Sequence, residues 1–416
     1  MADCIVPEGY KKTLLGVIPK EWKVKRLEFL CSNKGDYGIN APAVTYSKDL
    51  PTYLRITDID DDGRFITVNK TSVNSSNSEN FHLQEGDIVF ARTGATVGKT
   101  YLYNPNDGDL VFAGFLIRFS PDIQKIIPSF LRAYTNTSIY WNWVKIISQR
   151  SGQPGINAAE YCSLQIPVPP LTEQQRIVEI LSVWDKAIEK QTQLIEKLEL
   201  RKKGLMQQLL TGKRRIHGFS TPWRDCVMQQ LFTPITVVND GKPHLPMTIS
   251  AKLGLISQQN KFDRVIAGDS LKKYTLIQYG DFAYNKGNSN LYEMGCIYQL
   301  KEKSALVPFV YICFRAKESV CGDFYQQYFL NHGLDRQLKR IITSGARGDG
   351  LLNVDKKDFF NLKVIYPSFE EQTAIAQVLI ASVHEIELAQ QKLDLFCQQR
   401  RGLMQQLLTG KKRIKY

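Results

Sequence analysis

The chain of 416 residues has no run approaching about 18 apolar residues, so no segment is able to span a bilayer as a helix. Its opening, MADCIVPEGYKK, lacks the basic-then-apolar layout of a secretory signal. Eight cysteines include no Cys-x-x-Cys pair, and the five histidines stand alone. That usage argues against a disulfide scaffold and a metal site, and predicts reduced thiols in a cytoplasmic protein.

Catalytic signatures are missing as well. No Asn-Pro-Pro-Tyr occurs, and the nearest stretch, Asn104-Pro105-Asn106-Asp107, lacks the aromatic residue. There is no Asp-Glu-Ala-His box, no His-x-Glu with a paired Cys-x-x-Cys, and no nuclease-type carboxylate and lysine cluster. Gly94-Ala-Thr-Val-Gly98-Lys99-Thr100 imitates a phosphate-cradling loop, but it has three residues between its glycines where that motif needs four. A tight turn after a strand is the better reading. The residues thus name no catalytic group.

What is present is a cationic chain of more than one domain. Hydrophobic residues make up 43% and prolines number 17, which fits globular units with proper cores. The net charge of +13 is spread along the chain and not gathered in a tail. Structured surfaces facing a polyanion, nucleic acid first, are one reading, and plain solubility is the other.

The chain also repeats itself. Gly204 to Gly212 reads Gly-Leu-Met-Gln-Gln-Leu-Leu-Thr-Gly and returns unchanged from Gly402 to Gly410, a shift of 198 residues. Other landmarks recur at nearly the same offset. Pro19-Lys20-Glu21-Trp22 is answered by Pro222-Trp223, and Gly86-Asp87 by Gly280-Asp281. Pro169 is answered by Pro367, and Glu173-Gln174 by Glu371-Gln372. A duplication of nearly the whole chain predicts an internal pseudo-twofold arrangement.

Mostly apolar residues at alternating steps of four and three run from Ile177 to Leu209, and again from Ile375 to Leu407, with Gln191, Lys202, Ser382 and Arg400 as the polar exceptions. This is the seam of a coiled coil, and an ordinary amphipathic surface helix is the alternative. Thr172 with Gln175, and Ser368 with Glu371, are spaced as capping boxes, while Gly212 and Gly410 fit the stop. Each helix of about 40 residues would span roughly 60 Å. The expected fold is α/β (α+β) heads separated by two long antiparallel coiled-coil helices, a dumbbell with an internal repeat. Its segments are a first head at 1–168, a central helix at 169–213, a second head at 214–367 and a C-terminal helix at 368–416. In the heads, strands are expected at Tyr53–Ile59, Asp87–Ala91, Val111–Phe119, Leu164–Val168, Val307–Phe314 and Leu362–Tyr366. Helices are expected at Ser129–Ser148, with Ser129 as cap, and at Phe324–Ile342.

The candidate binding residues lie in polar loops at equivalent places of the two heads. In the first they are Arg92, Thr93, Lys99, Gln149, Arg150 and Gln153, and in the second Asn285, Lys286, Asn288, Ser344 and Arg347. Arginine can fork onto guanine, and asparagine or glutamine onto adenine. Each could equally contact phosphate, or be only a solvated turn residue. The basic knots Lys213-Arg214-Arg215 and Lys411-Lys412-Arg413 complement a helix C-terminus or dock a partner.

Gly16-Val-Ile-Pro19-Lys-Glu-Trp22, Tyr53-Leu-Arg-Ile-Thr-Asp-Ile59 and Gly86-Asp-Ile-Val-Phe-Ala-Arg-Thr-Gly94, with Pro169-Pro-Leu-Thr-Glu-Gln-Gln175 and the repeated nonapeptide, resemble the specificity subunit of a type I restriction–modification system. The second head departs in lacking the Arg-Thr-Gly loop. The resemblance implies two target recognition domains, each reading half of a split site in double-stranded DNA, with the helices setting the gap. It implies a non-catalytic chain that docks two modification subunits, which methylate adenine using S-adenosylmethionine. Two restriction subunits using ATP and magnesium would complete the assembly. Val178, Ile180 and Leu194, apolar but outside the seam, become candidates for the modification-subunit interface. Rival readings are a recognition module of another phage-defence nuclease complex, a coiled-coil scaffold without DNA readout, and an independent enzyme.

Overall fold

The computed structural model describes residues 6–262, 268–287, 291–342 and 352–414. It divides into two compact units, Met1–Gln191 with Lys392–Tyr416, and Thr192–Gln391. The division passes through the middle of two long helices, Leu171–Leu209 and Phe369–Leu407, each of 39 residues. Each unit therefore holds the first half of one helix and the last half of the other.

In the first unit an antiparallel sheet is ordered Asp36–Tyr37, Leu116–Phe119, Ile88–Ala91 and Thr100–Leu102. A second sheet is ordered Leu110–Phe112, Thr52–Leu54, Thr71–Val73 and Ala43–Thr45. The strand Ile88–Ala91 is apolar throughout because both its faces are covered. Alternation sends Ile88 and Phe90 into a core shared with the helices, and Val89 and Ala91 into a core between the sheets. Burying a side chain such as Phe90 contributes about 1.5–3 kcal/mol.

The second unit repeats this plan with other residues. One sheet is ordered Phe232–Ile235, Ile312–Ala316, Phe282–Asn285 and Cys296–Gln299, the other Gly254–Ser257, Leu245–Ser250, Ser304–Val307 and Thr275–Gln278. Here Phe282 and Tyr284 face the helical core while Ala283 faces the other sheet.

The helix halves run antiparallel within each unit. In the first, Ile177 and Leu181 share a core with Met404, Leu407 and Leu408, and Trp184 meets Phe396 edge-on at 5.8 Å. Arg400, a charged residue on the apolar seam, is accommodated by Asp185 at 2.6 Å. In the second, Leu209 and Leu210 share a core with Ile375 and Leu379, and Arg201 pairs with Glu385.

The repeated nonapeptide thus ends each helix as a plug in the core of the head encoded by the other repeat. Each plug is fastened by the same four groups. Glu173 accepts from Trp22 Nε1 at 3.0 Å and from Arg413 Nε at 2.8 Å. Its counterpart Glu371 accepts from Trp223 Nε1 at 2.8 Å and from Arg215 Nε at 2.6 Å. Gln174 and Gln372, both fully buried, return an amide bond to Pro169 O and Pro367 O, each at 2.9 Å. Gly410 closes the first clasp with φ +70°, where a Cβ would lie 2.4 Å from Pro19. The knots therefore divide: Arg215 and Arg413 are spent on the clasps, while Lys213, Arg214, Lys411 and Lys412 stay exposed.

Several expected elements are shorter than the sequence suggests. Val111–Phe119 is two strands, 110–112 and 116–119, and Val307–Phe314 likewise splits into 304–307 and 312–316. Tyr53–Ile59 is a strand only to Leu54, then a 3-10 turn held by Asp58 on Arg55. The helix expected at Ser129–Ser148 starts on Pro128 and breaks before Thr137, whose hydroxyl caps the next helix at Tyr140 N. That at Phe324–Ile342 breaks around His332, at φ +61°. The first long helix begins at Leu171, which puts Thr172 inside it, and Gln175 donates to Glu179. Ser368 does cap Glu371 N at 3.3 Å, but the Glu371 carboxylate turns to the clasp.

Candidate nucleic-acid interface

The Gly-Asp pair that recurs in both heads builds a turn. Asp87 accepts from Gln84 N at 3.0 Å and from the Ser120 hydroxyl at 2.6 Å, and Asp281 accepts from Gln278 N at 2.7 Å and Arg315 Nε at 2.6 Å. Both carboxylates are buried. Their work is to launch the strand whose far end carries the candidate loop.

In the first head that loop is clamped to a second one. Gly94 N donates to Pro154 O at 3.0 Å, Ile156 N donates to Arg92 O at 2.8 Å, and Thr93 forms a bridge with Gly155. Gly155 N in turn closes the second loop on Ser148 O at 3.1 Å. Gly94, at φ +76°, lets the loops meet: a Cβ there would lie 2.9 Å from the Gln153 amide nitrogen. The structure thus brings Arg92, Thr93 and Gln153 together, with Gln149 and Arg150 on the same loop pair.

These residues are not equally available. Arg150 holds Glu160 with two bonds at 2.6 and 2.7 Å and also reaches Ile147 O and Gln149 O, so it ties its loop down. Lys99 pairs with Asp61 at 2.6 Å, and that bond holds the exposed Asp61 carboxyl below its ordinary range. The Gly94–Thr100 stretch is a 3-10 turn running into a strand, with its lysine committed to a carboxylate. Arg92 differs. It lies over the ring of Tyr37 at 4.9 Å and forms no hydrogen bond or ion pair through its guanidinium among the described residues. Tyr37 is the residue that sequence reasoning missed, since nothing in the spacing links it to Arg92.

In the second head, Leu352 N donates to Lys286 O at 2.9 Å, the counterpart of the Ile156–Arg92 bond. Asn285 turns its carbonyl back onto Gly287 N at 2.9 Å. Asn288, Ser344 and Arg347 lie outside the described residues.

Of the candidate docking residues, Val178 and Ile180 are half-buried against the core of the first head, and Leu194 is 45% exposed. Val183 and Leu200 are more open, at 66% and 70%, and went unnoticed because single apolar residues between charged neighbours carry no periodic signal. Among the described residues no three His, Cys, Asp or Glu gather as metal ligands, seven cysteines are free thiols, and no helix is long and apolar enough to cross a membrane.

The two units share a plan of paired sheets packed against helix halves, and comparison with known proteins bears on what such a chain resembles. Residues 19–200 match the family described as type I restriction modification DNA specificity domain. A Methanocaldococcus jannaschii chain named for the specificity subunit of the type I restriction enzyme MjaX is 26% identical, over 98% of this chain and 97% of its own length. The HsdS subunit of Thermoanaerobacter tengcongensis is similar in fold, with TM-score 0.51, 15% identity and 95% and 98% of the two chains covered. A chain from a structure of the type I R-M system, solved for its complex assembly and conformational transition, gives TM-score 0.58 at 16% identity, covering 95% and 99%. The chain thus carries a type I restriction modification DNA specificity domain match over residues 19–200 and is similar along nearly its whole length to type I specificity subunits.

Proposed function

We propose that this chain is a specificity subunit that reads a bipartite site in double-stranded DNA, one half with each head, and sets the gap with its two long helices acting as a coiled-coil ruler. The supporting observation is that both units share one clasp and one anchoring bond, Ile156 N to Arg92 O and Leu352 N to Lys286 O, while the loop sequences differ. A common frame with divergent loops suits two different half-sites. In the first head Arg92, Thr93, Gln149 and Gln153 are offered to DNA. Arg150 and Lys99 act by holding loops in place, or reach phosphate only by leaving their carboxylates. In the second head Asn285, Lys286, Asn288, Ser344 and Arg347 take the same part.

Catalysis belongs to partners. Two modification subunits carrying S-adenosylmethionine dock on the helices around Leu194, with Val178 and Ile180 at the margin, and two restriction subunits carrying ATP and magnesium complete the complex. Adding or removing residues within 172–211 should change the spacing of the recognised halves and leave their sequences unaltered. Long-read mapping of methylated adenines in cells carrying such variants tests this, and an uninterrupted site would overturn the two-head reading. Loss of sequence-selective, salt-dependent duplex binding by the assembled complex would instead favour a scaffold.

A further inference from the structure

The candidate loops of the first head hold several cations, but only one has a guanidinium free to recognise anything. Lys99 and Arg150 face Asp61 and Glu160, so the loop pair is not a concentrated positive field. Arg92 lies over the Tyr37 ring, its guanidinium carbon 4.9 Å from the centroid, and its donors hold no hydrogen bond among the described residues. Its backbone is fixed on both sides, N donating to Phe115 O at 3.0 Å and O accepting from Ile156 N at 2.8 Å. Tyr37 is fixed as well. It pairs with Ile117 in the sheet, and its hydroxyl accepts from Ala158 N at 3.1 Å.

A guanidinium held over a ring by cation–π attraction is restrained without using its N–H donors, which stay available to a second partner. A phosphate contact needs little more than charge, whereas a fork onto a base edge must be held to within about 0.5 Å. We propose that Tyr37 is a positioning residue that presents the Arg92 edge to a guanine in the major groove, so the two together specify one base pair of the half-site read by the first head. The proposal rests on the specificity-subunit reading. The Gln153 amide, beside Gly94 and without a hydrogen bond among the described residues, adds a second reader next to the first.

The test uses the full chain assembled with its modification subunits and a pool of duplexes with randomised base pairs, from which bound sequences are selected. Arg92→Lys keeps the charge and loses the planar fork. It should relax selection at one G·C pair by about 5- to 150-fold and leave the salt dependence unchanged. Tyr37→Leu should relax the same pair, and Tyr37→Phe, which keeps the ring but not the tie to Ala158, should relax it less. Uniform weakening on all sequences, with the salt slope falling by about 1 in Arg92→Ala, would identify a phosphate contact and overturn the proposal. Unchanged selection in Arg92→Lys and Tyr37→Phe would overturn it too, and Tyr37→Phe guards against a Tyr37→Leu chain that fails to fold. A wild-type complex that selects no sequence at all would sink the specificity reading itself.

Discussion

At the scale of single residues, what a group can do depends on what it already holds. Arg215, Arg315 and Arg413 are each committed to a buried carboxylate, and Arg150 to a half-buried one. Arg92 alone among the arginines of the loop pair rests on a ring. The thiols sort the same way. Burial, reinforced by neighbouring Cys162, pushes the Cys31 thiol up to about 12, and burial above all carries Cys313 to about 12 and Cys296 to about 11. At pH 8 a group at 12 is thiolate on the order of one part in ten thousand. Alkylation of the native chain at pH 8, followed by mass spectrometry, should therefore modify the half-exposed Cys226, Cys321 and Cys397 well before Cys31, Cys296 or Cys313. Each unit of pH raises the thiolate of the buried set tenfold, so its labelling should quicken from pH 8 to 9 yet stay behind. Equal rates across the two sets would mean the cores are open.

At the scale of elements, the clasps decide how the helices seat. Replacing Arg413 by Ala would leave Glu173 buried against Trp22 alone, and the expected loss is about 3 kcal/mol in urea unfolding of the full chain. Lys412→Ala, on an exposed neighbour, should cost no more than about 0.5 kcal/mol. Equal effects from both would show that the clasp adds nothing. This is also the scale at which sequence and structure part company. The long helices were legible because their apolar period persists for tens of residues, and the recurring Trp, Glu-Gln and Gly were visible as landmarks. Their purpose was not, since Glu173 meets Arg413 across 240 residues and pairwise spacing cannot announce that. In the heads, apolar runs buried on both faces hide the turns between strands, so 111–119 and 307–314 each read as a single strand. The cluster of Arg92 with Gln153 was legible only as two separate loops, because a bridge between Thr93 and Gly155 joins them.

At the scale of the whole molecule, each compact unit takes its helix end from the distant repeat. Removing residues 392–416 should loosen the first unit, whose core includes Met404, Leu407 and Leu408, and spare the second. Hydrogen exchange should report lost protection in Ile88–Ala91 with Phe282–Asn285 unchanged. A uniform loss, or none, would contradict the assignment of the two cores.

The same exchange of helix ends bears on how the protein is made. The strands of the first unit leave the ribosome early, but the leucines that finish its core come about 200 residues later. At about 5–20 residues per second the wait is roughly 10–40 s. All parts of the second unit lie within 192–391, so it can close while the first is still incomplete. A message cut short near its end would then yield a chain whose earliest-made head never seals, so that quality control can act on its exposed apolar surface.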